Sequence, residues 1–451
     1  MLIKSVSGIR GIVGNGLNPE IILKFAAKFG EFISHNSTGE KKIIVGRDSR
    51  ISGTALKNAV ISGLLGIGID VIDIDLTPTP TLLYNVKKLK AMGGIVITAS
   101  HNTDEWNALK LVNHLGEFLS KDESEKFLSM EKDDISWSSA KNYGELETYK
   151  EAVRNHIRGV LSISRIDAEL IKKKKFKIAL DCVNGGASLA FQEFLNALNV
   201  EIFSIFCDAS GEFKRIPEPR AENLESLAKK VKESGADAGF ATDPDGDRIS
   251  LVSEEGIPIG EEYTIALATK AVLSKKKGPV VVNLSTTKSV EDIAKRAGVP
   301  FYRSPVGEAN VVKVMKEKNA VIGGEGNGGV INPEIQYTRD GMVAMALILQ
   351  YLAEEKKPLS DIVNGLPRYK MIKEAVKMKG INEGKKLLEK IKNTNKEKNM
   401  DLRDGIRLIE SDCWVHVRMS GTEPILRIIA EAPTIKKARA LVDRIKNQGA
   451  K

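Results

Sequence analysis

The feature that most constrains this chain is a repeat. Three times, a short apolar strand, a helix, a second strand, a second helix and a third strand follow one another. The first unit runs KIIVG (42–46), TALKNAVISGLLGIG, IDVIDID (69–75), PTLLYNVKKLK and GIVIT, and ends at Ser100. The second runs FKIALD (176–181), SLAFQEFLNALN, VEIFSIF (200–206), ENLESLAKKVKESG and DAGFAT (237–242), and ends at Asp243. The third runs VVVN (280–283), SVEDIAKRAG, PFYRS, ANVVKVMKEKN and AVIGG (320–324), and ends at Glu325. Continuous apolar strands between amphipathic helices predict mostly parallel sheets covered on both faces. Right-handed crossovers place the loops that follow the strands along one edge of each sheet, where ligands of such folds bind. Ser100, Asp243 and Glu325 therefore stand at equivalent strand tips. Three different chemistries at three equivalent tips predict one composite site built at domain interfaces.

Beyond about residue 366 the pattern breaks. LPRYKMIKEAVKMKG is followed by a basic helix, INEGKKLLEKIKNTNKEK, by the strands WVHVRM (414–419) and ILRIIAEA (425–432), and by a last helix, TIKKARALVDRIKNQ. This predicts a small α+β domain. The expected domains are 1–153, 154–253, 254–366 and 367–451.

Length and composition fit this reading. A chain of 451 residues, 42% hydrophobic and 28% charged, is globular, and at roughly 100–200 residues per domain it holds three or four of them. No run of about 18 apolar residues suggests a membrane span, and the start MLIKSVSGIRGIVG lacks the apolar centre of a signal peptide. Cys182, Cys207 and Cys413 are scattered and read as reduced thiols. The expectation is a cytoplasmic protein with no membrane partner. The net charge of +9 comes largely from lysine runs such as Lys172–Lys175 and Lys275–Lys277, which carry few aromatic residues. These read as solvated faces, not as a nucleic-acid surface. The five histidines, at 35, 101, 114, 156 and 416, have no zinc-site spacing.

The loops after the strands carry the chemistry. In ATDPDGDR, Asp243, Asp245 and Asp247 alternate along a segment that Pro244 and Gly246 keep out of a helix. Crowded carboxylates repel unless a cation neutralises them, and hard oxygen ligands with room for water or phosphate suit Mg²⁺. Arg248 can reach a phosphate held there. Glu254 sits at position 12 from Asp243, but Arg248 occupies the position where a calcium loop needs glycine, and strands flank the segment.

In TASHN, an isolated strand-end serine usually caps a turn. Here it stands where the repeat places the aspartates of the next unit. Lys110 can supply a proton or hold a phosphate, and His101 can contact the transferred group or orient the loop. A serine beside a Mg²⁺ site can accept and donate a phosphoryl group. No Ser-His-Asp relay is apparent, which disfavours acyl transfer.

GGEGNGG (323–329) contains G-x-G-x-x-G after a strand, but a dinucleotide fold requires a helix there, and VINPEIQYTRDG follows instead. Close-approach glycines with Glu325 and Asn327 suit a polyhydroxylated substrate. In RMSGTEP (418–424), Arg418, Ser420, Thr422 and Arg427 cluster around Gly421, a combination that binds phosphate through backbone N–H groups and arginine forks. In SGIRGIVG, Arg10 can line the site. In GRDSRISG, Arg47, Asp48 and Arg50 read as an interdomain ion-pair network.

Taken in order, GIRG, TASHN…N-A-L-K, DPDGDR, GEGNGG and R-M-S-G-T-E-P resemble the α-D-phosphohexomutase superfamily over nearly the whole chain. The resemblance implies four domains around a central cleft and an isomerase that moves phosphate between the 6- and 1-positions of hexoses. It implies one Mg²⁺ per chain, a phosphoserine, and a hexose bisphosphate as intermediate or activator. Carried over, Ser100 is the phosphoserine and a metal ligand, and Asp243, Asp245 and Asp247 hold the Mg²⁺. Lys110 is a general-acid candidate, with His101, Arg10 and Arg248 beside it. Glu325 and Asn327 read sugar hydroxyls. Arg418, Ser420, Gly421, Thr422 and Arg427 clasp the distal phosphate.

The chain departs from the usual family motifs at Thr103 and Ala108 in the serine loop. In the sugar loop, Asn327 replaces a serine and Gly329 replaces a histidine that serves some relatives as a proton acceptor. The expected substrate is glucosamine 6-phosphate, with mannose and glucose phosphates as alternatives, acted on by a monomer or homodimer. A Mg²⁺-dependent sugar phosphatase is the rival enzyme, distinguished by release of free phosphate. A non-catalytic anion binder would need none of these loops intact.

Overall fold

The protein is described here from a computed structural model that covers residues 2–5, 8–130, 134–378, 380–420 and 425–450. It divides into two compact units, Met1–Thr264 with Gly328–Asp361, and Ile265–Asn327 with Ile362–Lys451.

In the first unit, the strands Glu40–Arg47, Asp70–Leu76 and Ala91–Ile97 pair in parallel, as their apolar runs predict. Ile43, Ile44 and Val45 are fully buried because helices cover both faces of the sheet. The helix Pro19–Asn36 begins where Asn18 accepts the N–H of Ile21 and Pro19 fixes the first turn. A second sheet repeats the arrangement with Glu201–Ile205, Lys177–Asp181 and Ala238–Thr242 in parallel. No helix among the described residues is long and apolar enough to cross a membrane.

In both sheets the chain leaves the site loop as an antiparallel strand; the sequence reading places a strand after the aspartate loop but assigns none after the serine loop. Trp106–Asn113 pairs antiparallel with Ala91–Ile97, and Ile249–Ser253 pairs antiparallel with Ala238–Thr242. The serine and aspartate loops are thus hairpin tips, tied at both ends to strands that are buried almost throughout. A further strand, Gly8–Val13, lies antiparallel to Trp106–Asn113 with Arg10 opposite Ala108, which sets Arg10 beside the serine loop.

In the second unit, Val280–Asn283 pairs in parallel with Phe301–Ser304 and with Ile322–Glu325. The C-terminal segment forms an antiparallel five-stranded sheet in which Lys370–Lys377, Ile425–Ala432, Trp414–Met419, Ile406–Ile409 and Met400–Asp401 follow one another. The helix Ile435–Ala450 packs on it through Ala438, Leu441, Val442 and Ile445.

Candidate active site

Ser100 lies three residues past the end of the strand Ala91–Ile97 and takes a left-handed backbone conformation, φ 50°. A non-glycine residue there is strained, and such strain persists only where the surroundings impose it. Here the surroundings are an arginine. Arg50, 1% exposed, donates to the carbonyls of Ser100 (2.7 Å), Asn102 (2.8 Å), Thr103 (2.5 Å) and Trp106 (3.0 Å). Its Nε donates to Asp48 Oδ2 at 3.0 Å, and the same oxygen accepts from Thr98 Oγ1 at 2.6 Å. Thr98 Oγ1 in turn accepts the Ser100 N–H at 2.9 Å. The expected interdomain ion-pair network is therefore something else. Asp48 and Arg50 form a local clamp on the serine loop, and Arg47 turns away to Asp75 at 2.9 Å. A guanidinium with five donors can gather carbonyls that all point inward from a tight loop.

The aspartate loop is held from three sides. Thr79 N donates to Asp245 O at 2.8 Å, Gly186 N to Pro244 O at 2.7 Å, and Gly341 N to Gly246 O at 3.1 Å. Gly246 takes φ 70°, which bends the segment so that all three carboxylates face one point. Asp243, Asp245 and Asp247 are 0%, 0% and 1% exposed. Each offers an oxygen within 4.8 Å of the others.

The two loops meet. Ser100 Oγ donates to Asp243 Oδ2 at 3.0 Å, with His101 Nδ1 3.4 Å from the same hydroxyl. Lys110 Nζ reaches Asp245 Oδ2 at 2.6 Å, and Thr79 Oγ1 donates to that oxygen at 2.7 Å. Arg10 donates to the Asn102 side chain at 2.7 Å. Arg248 donates to Glu218 Oε1 at 3.3 Å, while its Nε lies 3.5 Å from Asp247.

The electrostatics are those of a site waiting for charge. Burial raises the Asp243 carboxyl well above its ordinary range, and Asp247 and Asp245 add to the rise. Burial works the same way on Asp245, but the Lys110 ammonium and the hydrogen bonds from Lys110 and Thr79 more than offset it and hold it below the usual range. The positive charge of Arg248, then burial, then Arg10, push His101 well below its ordinary value. Its imidazole is therefore neutral.

A divalent cation fits this donor set. Asp245 Oδ1 and Asp247 Oδ1 are buried and have no hydrogen-bond partner. Such carboxylate oxygens are costly unless a cation or a proton satisfies them, and hard oxygen donors of this kind suit Mg²⁺.

The other expected site residues lie in the second unit. Glu325 Oε1 accepts from Asn283 Nδ2 at 2.8 Å and from Gly307 N at 3.2 Å, so the carboxylate is held facing the loop. Lys373, not expected from sequence, donates to Gly326 O at 3.3 Å. Arg418 pairs with Asp404 at 3.0 Å and sits opposite Arg427 across the two strands. Ser420 N donates to Ile425 O at 2.9 Å. Gly421 and Thr422 lie outside the described residues.

Sequence reasoning also missed Arg50 as a clamp, Thr79 and Glu218 as anchors, and Arg339, whose Nη2 donates to Asp247 Oδ2 at 2.6 Å. Arg339 precedes Asp340, the N-cap of the helix Gly341–Glu355. The D-G pair marks a helix start, but nothing in it says that the preceding arginine turns toward the aspartates.

The structure thus brings a strained serine into hydrogen-bond contact with a buried triad of carboxylates, with Lys110, Arg10, Arg248 and Arg339 close by. Four stretches of the chain match, in order, the descriptions "Phosphoglucomutase/phosphomannomutase, alpha/beta/alpha domain I" (1–133), domain II (154–256), domain III (260–369) and "C-terminal domain" (371–448). The chain belongs to the phosphoglucomutase/phosphomannomutase family and is an isomerase of the phosphohexomutase class. It is 37% identical over 444 residues to a phosphoglucomutase/phosphomannomutase of Thermococcus kodakarensis, covering 97% of this chain and 96% of that one. It is 34% identical over 450 residues to a phosphoglucosamine/phosphogalactosamine mutase of Sulfurisphaera tokodaii, covering 97% of each. The fold matches the crystal structure of a phosphoglucomutase/phosphomannomutase family protein from Burkholderia thailandensis with a TM-score of 0.86 at 24% identity, over 99% of this chain and 97% of that one.

Proposed function

We propose that the protein interconverts hexose 6-phosphate and hexose 1-phosphate through a phosphorylated Ser100, with glucosamine 6-phosphate as the preferred substrate. The observation that carries the phosphoserine reading is the 3.0 Å hydrogen bond from Ser100 Oγ to Asp243 within the triad. A Mg²⁺ held by Asp243, Asp245, Asp247 and Ser100 supplies charge neutralisation for the transferred phosphoryl group.

The protein's own residues do the rest. The Asp48–Arg50 clamp holds the Ser100 hydroxyl at the hairpin tip. Arg248 and Arg10 offset the charge of the incoming phosphate. Lys110, whose ammonium is close to the cluster, is assigned the general-acid role, giving a proton to the Ser100 oxygen as the phosphoryl group leaves it. Glu325 and Asn327 are assigned to sugar hydroxyls, and Arg418, Ser420, Gly421, Thr422 and Arg427 to the phosphate that is not being transferred. Such a clamp retains the bisphosphate so that it turns over and returns its other phosphate to Ser100. This separates a mutase from a phosphatase. Enclosure of the site would also keep water from the phosphoserine.

The preference for glucosamine is supported by the GEGNGG loop and by the kinship with a mutase named for amino sugars. The relative named for glucose and mannose keeps those sugars as the alternative. Rates on glucosamine 6-phosphate, mannose 1-phosphate and glucose 1-phosphate, measured side by side, test it. The reading expects the highest kcat/KM on glucosamine 6-phosphate, and a clear preference for either of the others refutes it. A cytoplasmic location and a monomeric or dimeric state belong to the same reading.

A further inference from the structure

Two of the three aspartates share a pattern. Asp245 is held through Oδ2, by Lys110 and Thr79, and its Oδ1 has no hydrogen-bond partner. Asp247 is likewise held through Oδ2, by Arg339, and its Oδ1 has no hydrogen-bond partner. One oxygen is anchored and the other is left for an ion. Outer partners of this kind orient metal-binding carboxylates.

We propose that Arg339 is a positioning residue of the cation site: by taking Asp247 Oδ2 it leaves Oδ1 facing the ion. This rests on the reading of the triad as a divalent-cation site. Arg339 is itself well fixed. Asp340 next to it accepts from Met342 N at 3.0 Å and Val343 N at 3.2 Å, and its other oxygen accepts from Gln336 Nε2 at 2.8 Å. That oxygen also lies 2.8 Å from Nε2 of the buried His156, whose Nδ1 is 2.9 Å from Thr81 Oγ1. The Gly341 N–H on the Gly246 carbonyl then ties this turn directly to the aspartate loop. A Cβ at Gly341 would approach Gly246 O to 2.7 Å, so the two segments are as close as backbone allows.

Without Arg339, Asp247 has an alternative partner. Arg248 Nε is buried, has no hydrogen-bond partner and lies 3.5 Å from Asp247 Oδ1. A freed carboxylate turns toward it and loses the oxygen meant for the cation. A role limited to neutralising charge gives the opposite sign, because removing a positive group near a divalent ion tightens binding. The direction of the change therefore decides between them.

The test is Mn²⁺ binding to the full chain, followed by the spin resonance of free Mn²⁺, for wild type, Arg339→Gln, Arg339→Lys and Asp245→Asn, with melting curves to establish folding. Arg339→Gln is expected to weaken binding about tenfold or more, in the range of outer-shell losses. Arg339→Lys is expected to restore part of it, since an ammonium can still take Oδ2. Turnover of Arg339→Gln is expected to fall more at limiting metal than at saturating metal. A folded Arg339→Gln that binds Mn²⁺ as well as or better than wild type overturns the proposal. If the glutamine variant does not fold, Arg339→Met, which also cannot donate to Oδ2, takes its place, and an unchanged or tighter affinity overturns the proposal in the same way. If wild type binds no Mn²⁺, or Asp245→Asn binds it equally well, the cation reading fails and the role of Arg339 fails with it.

Discussion

Ser100 Oγ lies 3.0 Å from Asp243 Oδ2, joining two hairpin tips 143 residues apart in the chain. A nucleophile placed there acts only through its own oxygen. Ser100→Ala keeps the loop, since Arg50 binds its backbone and not its side chain. Turnover is expected to fall more than ~10³-fold, about 4 kcal/mol of barrier, while the melting temperature changes little. A steady-state assay beside a melting curve checks both, and near-normal turnover refutes the covalent role.

Asp245 carries both Lys110 and Thr79 on one oxygen and leaves the other buried without a hydrogen-bond partner. Asp245→Asn is expected to lower activity and raise the Mg²⁺ concentration needed for half-maximal rate. A metal titration of the rate is the check. An unchanged midpoint speaks against the triad as the metal site.

Arg50 and Asp48 have fully buried side chains, so the pair is costly to break from one side. Arg50→Ala is expected to lose about 3–5 kcal/mol of stability, because Asp48 is left buried and uncompensated. Arg50→Lys retains the charge but cannot reach four carbonyls at once. It is expected to stay folded and to lose roughly 10²-fold in turnover through misplacement of Ser100. Denaturant melts separate the two effects, and a lysine variant with wild-type turnover would reduce the clamp to a stability element.

His416 is buried between Ser285 Oγ, 2.9 Å from Nδ1, and the Asp404 carbonyl, 2.6 Å from Nε2. Burial lowers its pKa to about 4, against about 6.5 in an unfolded chain. Between those values the unfolded chain binds a proton that the folded one refuses. Stability is therefore expected to fall as pH drops from about 6.5 to about 4, by up to roughly 3 kcal/mol, and to stop falling for this reason below that. Calorimetric melts of wild type and His416→Asn across that range are the check. The variant is expected to show the shallower slope, and equal slopes contradict the assignment.

Much of this arrangement was legible in the residues. The parallel strands were visible because their apolar runs are uninterrupted, and VVVN at 280–283 is a strand to the residue. Ser100, Lys110 and the three aspartates could be placed together because the repeat makes their loops equivalent. A strand after the aspartate loop was visible, but the antiparallel pairing of the two return strands was not. WNALKLVN and ISLVS follow loops rich in turn residues and show no alternation, since Trp106–Asn113 and Ile249–Ser253 are buried almost throughout. The roles of Arg50 and Arg339 were hidden for a different reason. Each acts on residues far away in sequence, and an arginine next to an aspartate looks the same whether it clamps a loop or faces water.

The most direct measurement is the fate of a labelled phosphoryl group. The protein is incubated with Mg²⁺ and a labelled hexose 1,6-bisphosphate, then located by peptide mass spectrometry, and chased with unlabelled hexose 6-phosphate. The expected result is one phosphoryl group on Ser100 that passes to the sugar as bisphosphate, with little free phosphate. Label on another residue, or free phosphate released in step with turnover, would contradict a mutase that works through Ser100.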